Sequence, residues 1–173
     1  ASVTGLQPNT QYTYEVIADS DEGTTSSSTQ TFTTAGVPEI NVTDGTNTLP
    51  DGSGIFDFGT VDGVATNPAQ TFTIENNGSA NLTVSGVTLS NTDDFALTQS
   101  PASSVGAGSS TDFIVQFDAS VPGPYSTTVT VDNNDADENP YTFTVNAMAG
   151  APEAALFVGP ASGTALANGG SFD

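Results

Sequence analysis

The sequence contains no lysine, arginine, histidine, cysteine or tryptophan, although it is 173 residues long. The missing residues exclude Ser-His and Cys-His pairs, Schiff-base lysines and thiolate nucleophiles. They also exclude zinc sites built from His or Cys. Because the chain has no cation to neutralise phosphates, neither nucleic acid nor an anionic membrane surface is an expected partner. We therefore predict that this chain is not an enzyme.

The residues that are present make a lightly charged chain of one sign. Twenty Asp and Glu residues give a formal charge of −20, yet charged residues account for only 12% of the sequence. The hydrophobic fraction is 35%, which can supply the core of a β-sandwich of ~100 residues without disulfides. No apolar run reaches the roughly 18 residues of a membrane span, so we expect no membrane insertion in this chain.

The dominant pattern along the chain is alternation of apolar and polar residues over short runs. Each run ends near Gly, Pro, Asn or Asp, and no segment shows an apolar stripe at helical spacing. Alternation of period two predicts antiparallel strands with one buried face each, so the predicted fold class is all-β, a β-sandwich. The alternating runs are Tyr12–Ala18, Phe72–Ile74, Leu82–Leu89, Phe113–Phe117, Thr127–Val131 and Tyr141–Val145.

The first segment, residues 1–35, carries an L-x-P-x-T-x-Y run made by Leu6, Pro8, Thr10 and Tyr12. This run resembles the E–F corner of fibronectin type III domains. The resemblance implies that the Tyr12 hydroxyl bonds to upstream backbone, and that Leu6, Pro8 and Tyr12 are structural residues. It covers only the C-terminal strands of such a domain, so we expect further strands upstream or from another molecule. The alternative is an ordinary strand with a buried tyrosine.

Residues 36–150 read as one complete domain. They contain, in order, PEI, FDFGTV, FTIENNGSANLTVSGVTL, DFALT, GSSTDFIVQF and DNNDADENPY. This set resembles the Hydin-like (abnormal-spindle/Hydin) Ig-like domain of bacterial surface proteins described as choice-of-anchor D. The resemblance implies an Ig-like sandwich of seven to nine strands without enzymatic activity.

The last segment, residues 151–173, repeats the opening of the second. Gly150-Ala151-Pro152-Glu153 parallels Gly36-Val37-Pro38-Glu39, at a distance of about one Ig-like domain. We therefore predict a linker and the first strand of a following repeat, and a tandem array of Ig-like and fibronectin-type-III-like sandwiches. Chance similarity between two Gly-rich stretches is the alternative.

An acidic loop between two predicted strands is the candidate metal site. Oxygen ligands at alternating positions suit Ca²⁺, and no other cofactor is expected. The alternative is that Asp and Asn simply form a tight solvated turn. The candidate ligands are Asp132, Asn134, Asp135, Asp137 and Glu138.

These observations predict a structural stalk or spacer in a large repetitive protein, whose partners are neighbouring repeats or like subunits. The resemblance implies an extracellular setting at a bacterial cell surface. One alternative is a self-assembling filament subunit completed by neighbouring chains. Another is an adhesin module that binds a glycan or protein, for which Tyr125 is the main candidate for an exposed aromatic platform.

Overall fold

The computed structural model describes residues 2–61, 67–119 and 121–151. Within these ranges the chain forms strands and no helix, and therefore no helix able to cross a bilayer. The strands are β1 Gln11–Tyr14, β2 Ile17–Ser20, β3 Gly23–Ser26, β4 Gln30–Thr33, β5 Ile40–Thr43, β6 Gly54–Val61, β7 Ala69–Asn76, β8 Leu82–Leu89, β9 Phe95–Gln99, β10 Ser104–Val105, β11 Ser110–Phe117, β12 Gly123–Asn133 and β13 Tyr141–Ala149.

Strands β5 to β13 form a sandwich of two sheets. One sheet has five strands in the order β10-β8-β12-β13-β6, and the other has four in the order β5-β7-β11-β9. Neighbouring strands are antiparallel except β6, which pairs in parallel with β13. The all-β prediction is therefore confirmed, and alternation in the sequence reflects one face of each sheet turned to a shared core.

The core lies between the two sheets and is rich in aromatic rings. Phe72 of β7 has no exposed surface, and its ring centroid lies 5.3 Å from that of Phe113 on the same sheet. Across the sandwich it lies 5.1 Å from Phe143 and 5.3 Å from Phe56. Offset and edge-on packing at these distances adds to the apolar area that the rings bury. Phe72 thus joins the two sheets at the centre of the core.

Strand β8 changes its inward face half-way along. Leu82 and Val84 are buried, and the inward positions then shift by one residue to Val87 and Leu89. Opposite them, Asp132 pairs with Gly86 and Asn133 pairs with Val84, so β8 carries one extra residue at this point. This β-bulge explains why the apolar alternation in the sequence loses its phase.

The first strands form two separate two-stranded sheets, β1-β4 and β2-β3. The ring of Tyr12 stacks on Phe32 at 5.8 Å, but no residue of these four strands is buried. We predicted one buried face for the strand that begins at Tyr12. Instead, Tyr14, Val16 and Ile17 are 48%, 61% and 59% exposed. The reason is that, within the described residues, no second sheet covers this apolar face.

The predicted linker and first strand of a following repeat, residues 151–173, lie outside the described residues apart from Ala151.

Candidate functional site

The corner predicted in the first segment has local backbone contacts. The Tyr12 hydroxyl accepts a hydrogen bond from the backbone N–H of Gln7 at 2.8 Å. The Thr10 hydroxyl donates to the carbonyl of Pro8 at 2.9 Å. Leu6 is half-buried and Pro8 is exposed. These bonds hold the turn that leads into β1.

The acidic loop joins β12 to β13, and Asp135 lies at its base. This residue is only 3% exposed. Its Oδ2 accepts the backbone N–H of Ile40 at 2.9 Å, and its own N–H donates to Asn133 Oδ1 at 2.7 Å. Because a charged acceptor strengthens a hydrogen bond, this carboxylate attaches the start of β5 to the loop.

Two asparagines, Asn133 at the end of β12 and Asn134 in the loop, make further hydrogen bonds. Asn133 Nδ2 donates to the carbonyls of Val131 and Glu138 at 3.2 and 2.9 Å, which closes the loop on itself. Asn134 Oδ1 accepts the N–H of Thr83 at 2.7 Å, and its Nδ2 donates to the Asn81 carbonyl at 3.3 Å. The loop is therefore bonded both to β5 and to the start of β8.

The five residues predicted as calcium ligands have different surroundings. Asp135 and Asn134 accept backbone N–H groups, Asp137 is exposed and Glu138 is half-buried. Asp132 was predicted in the loop but is an exposed residue of β12, where it pairs with β8. Within the part of the chain that the structure describes, no three acidic side chains lie close enough together to hold a metal ion. The side-chain oxygens of Asn134 and Asp135 therefore support the backbone, and calcium binding by the five residues stays a prediction.

The charge of Glu138 is unfavourable in its surroundings. Its Oε2 is buried and accepts no hydrogen bond from the described residues. Burial raises the pKa of Glu138, and the negative charges of Glu39, Asp135, Asp137 and Asp51 raise it further. The ionised side chain is therefore less favourable in the folded protein than in the unfolded chain.

We expect Glu138→Gln to raise the melting temperature at pH 7, because it removes this anion. Since the pKa is higher in the fold than in the unfolded chain, the wild type gains stability as pH falls and Glu138 takes up a proton. The advantage of the variant should thus disappear below the ordinary pKa of 4.5. Thermal unfolding followed by circular dichroism from pH 7 to the acid range measures this.

Asp21→Asn is the control for Glu138→Gln. It makes the same change of net charge at an exposed residue between β2 and β3. Equal effects of the two variants at pH 7, or a Glu138→Gln advantage that persists in acid, would contradict the role assigned to burial.

A buried asparagine that the sequence did not single out connects several elements. Asn76, at the end of β7, has no exposed surface. Its Nδ2 donates to the carbonyls of Ala80 and Val105 at 2.8 and 2.9 Å. Its Oδ1 accepts the N–H groups of Gly78 and Glu39 at 3.1 and 3.3 Å. The side chain is therefore fully used in joining β7 to the next turn, β10 and the entry to β5.

The aromatic residue considered as a binding platform is not free on the surface. Tyr125 is half-buried, and its ring centroid lies 5.5 Å from that of the buried Phe117. Its hydroxyl donates to the carbonyl of Val121 at 2.8 Å. Tyr125 therefore contributes to packing at one end of the core.

A known protein family matches the part of the sequence that forms the sandwich. The model of the family described as "HYDIN/CFA65/VesB-like, Ig-like domain" matches residues 52–148. Most of the sandwich, from the start of β6 to Met148 near the end of β13, falls within this match. Among curated proteins, none matches this sequence.

Several solved structures are similar to this chain at low sequence identity. A protein of unknown function from Porphyromonas gingivalis W83 is 16% identical with a TM-score of 0.51, over 85% of this chain and 69% of that one. The VesB protease of Vibrio cholerae is 20% identical with a TM-score of 0.46, over 56% of this chain and 30% of that one. The secreted serine protease VesC of Vibrio cholerae is 11% identical with a TM-score of 0.46, over 77% and 32%. This chain thus spans about a third of each protease.

Proposed function

Because this chain belongs to the HYDIN/CFA65/VesB-like Ig-like domain family, we propose that it is a non-catalytic structural spacer in a large extracellular protein at a bacterial surface. The sandwich would hold neighbouring repeats or like subunits at a fixed separation and orientation. The resemblance of residues 36–150 to domains of bacterial surface proteins supports this setting. The observation that carries the proposal is the way the chain enters the sandwich.

The entry segment, Gly36–Glu39, is bonded to the turn between β7 and β8. The carbonyl of Val37 accepts the N–H groups of Ser79 and Ala80 at 2.8 and 3.0 Å. The N–H of Val37 donates to Ser79 Oγ at 3.3 Å, and the N–H of Asn77 donates to the Glu39 carbonyl at 2.8 Å. Four bonds over so few residues fix the direction in which the chain enters.

The entry segment and the turn also touch closely. A Cβ on Gly78 would lie 2.4 Å from the Val37 carbonyl oxygen and 2.6 Å from the Glu39 nitrogen. A Cβ on Gly36 would lie 2.8 Å from the Ser79 carbonyl oxygen. Since these neighbours are backbone atoms, they could yield only by moving the segment. A spacer needs such a joint, because reach depends on successive units keeping their relative orientation.

We expect Gly78→Ala to loosen this joint. The added methyl group must displace Val37 and break its bonds to Ser79 and Ala80, at a cost of about 1–3 kcal/mol in the free energy of unfolding. The chain has no cysteine, so spin labels can be placed at Thr25→Cys in β3 and Thr128→Cys in β12. Electron paramagnetic resonance should give a narrow label-to-label distance distribution for the parent and a broader one for Gly78→Ala.

Gly86→Ala is the matched control. A Cβ there has no atom within 4 Å and the backbone angles are ordinary, so the distance distribution should stay narrow. A broad distribution in the parent chain itself would overturn the rigid-joint argument, and so would a narrow one in Gly78→Ala.

The mass of the natural protein separates the spacer from the filament subunit. A subunit completed by its neighbours would give polymers whose chains have a mass near the 17.4 kDa of this sequence. A spacer in a repeat array would give a single chain many times larger. Intact-mass measurement on material purified from the source under denaturing conditions distinguishes the two.

A further inference from the structure

The sandwich has an apolar groove along one side, where β8 and β9 face each other from different sheets. We call it the seam groove. Its floor and walls are Val87 and Leu89 of β8 with Phe95 and Leu97 of β9, and its volume is about 490 Å³. Phe95 is buried, whereas the other three are only partly buried and pack on the core. Thr88 and Ala96, on opposite rims, are exposed.

Both strands that border the seam groove have a free edge. Strand β9 is the last strand of the four-stranded sheet. Strand β8 pairs with β10 only at Leu82 and Thr83. From Ser85 onward, the edge of β8 that faces away from β12 has no strand partner among the described residues. Such edges present unpaired backbone N–H and C=O groups that can pair with an added strand.

The charges at one end of the seam groove indicate the kind of strand that fits. Asp93 and Asp94 lie in the turn between β8 and β9, and the N–H of Asp118 donates to the Asp94 carbonyl at 2.8 Å. The chain has no lysine or arginine and a formal charge of −20. A second copy would bring the same excess of negative charge to an acidic surface. The complementary occupant is therefore a segment of another protein that carries cations.

We propose that the seam groove binds an extended segment of a partner protein with alternating apolar side chains and lysine or arginine at one end. The backbone of the segment pairs with the free edge of β8 or β9, which is the mode known as strand addition. Its alternate side chains enter the groove among Val87, Leu89 and Leu97, and its cations lie against Asp93 and Asp94. This gives the spacer an attachment point on its side.

The test uses the full chain labelled with ¹⁵N and the synthetic peptide KKTVTITVT, with EETVTITVT as the charge-reversed control. We expect the basic peptide to shift the amide signals of Ser85–Leu89 and Phe95–Leu97 at concentrations up to about 1 mM, the weak end of the affinity scale. The acidic peptide should shift none of them.

Four variants locate the site. Ala96→Lys and Thr88→Lys place a long cationic side chain on either rim, and each should weaken binding at least about tenfold, or 1.4 kcal/mol. Thr71→Lys makes the same charge change at an exposed position of β7, two strands away from β9 in the same sheet, and should leave binding unchanged. Asp93→Asn should weaken binding more than Asp21→Asn, which removes the same charge from a distant turn.

Several results would overturn the proposal. The proposal is wrong if no amide signal shifts at the highest peptide concentration, if the shifted signals are scattered over the acidic surface, or if the two peptides bind equally. Equal loss of binding with Thr71→Lys and Ala96→Lys would show that these variants act only through the net charge of the chain. Concentration-dependent dimerisation in sedimentation experiments, abolished by Ala96→Lys, would show instead that a second copy occupies the groove.

Discussion

Replacing Phe72 with alanine should lower the free energy of unfolding by about 3–5 kcal/mol, the range found for deleting a buried aromatic ring. The side chain is fully buried and packs against Phe113, Phe143 and Phe56 at ring distances of 5.1–5.3 Å. Since these rings belong to both sheets, the cavity lies where neither sheet can close it alone. Domains are stable by only about 5–15 kcal/mol, so the loss is a large part of the total.

Urea unfolding followed by circular dichroism measures this loss as a lower midpoint at unchanged slope. Phe32→Ala is the matched control, because its ring is 42% exposed and lies on β4, outside the sandwich. It should leave the main transition in place. Equal midpoints for Phe72→Ala and the parent chain would contradict the position of Phe72 at the centre of the core.

Asn76→Ala should be nearly as damaging, although it removes a polar residue. The substitution leaves the carbonyls of Ala80 and Val105 and the N–H groups of Gly78 and Glu39 without the partner they have in the structure. A buried polar group that loses its partner costs about 1–3 kcal/mol. Because some of these groups can reach water after small movements, we expect a total loss of about 3–4 kcal/mol.

The neighbouring Asn77 provides the control. It is exposed, and Asn77→Ala should change stability by no more than about 0.5 kcal/mol. A third variant, Asn76→Asp, separates the two kinds of bond. Its carboxylate can accept the N–H groups of Gly78 and Glu39 but cannot donate to the carbonyls that Asn76 Nδ2 reaches. In chemical unfolding experiments, Asn77→Ala should be the most stable of the three variants, and both Asn76 variants should be much less stable. An Asn76→Ala variant as stable as Asn77→Ala would contradict the buried network.

The strands were the most predictable part of this protein. Alternation around Phe113, Val129 and Phe143 is a local signal, because successive side chains of a strand point to opposite faces. The same signal loses phase at Gly86, and only the pairing with β12 shows that the cause is a bulge. The local alternation thus predicts which residues form strands. Where a bulge interrupts the alternation, strand pairing decides which residues face inward.

The polar network at the entry to the sandwich could not be predicted in the same way. Asn76 stands in the sequence Glu-Asn-Asn-Gly, which is typical of an exposed turn. Asp135 stands in an acidic loop, yet its carboxylate binds the backbone of Ile40, 95 residues earlier in the sequence. Burial of both residues depends on contacts between distant segments, and single-sequence patterns carry no sign of those contacts. The contact from Tyr12 to Gln7 spans only five residues and was accessible from a local motif.

The positions of the first and last strands of the sandwich have a mechanical consequence. The chain enters on β5, an edge strand of the four-stranded sheet, and leaves from β13, an inner strand of the five-stranded sheet. A pulling force applied at these two ends would therefore reach both sheets, and the contacts that hold β5 would bear it first, because within the described residues β5 pairs with β7 alone among the strands. Those contacts are the ladder from β5 to β7 and the bond from the Ile40 N–H to the Asp135 carboxylate. Under tension, β5 and the bonds of its entry segment would act as the latch of the module.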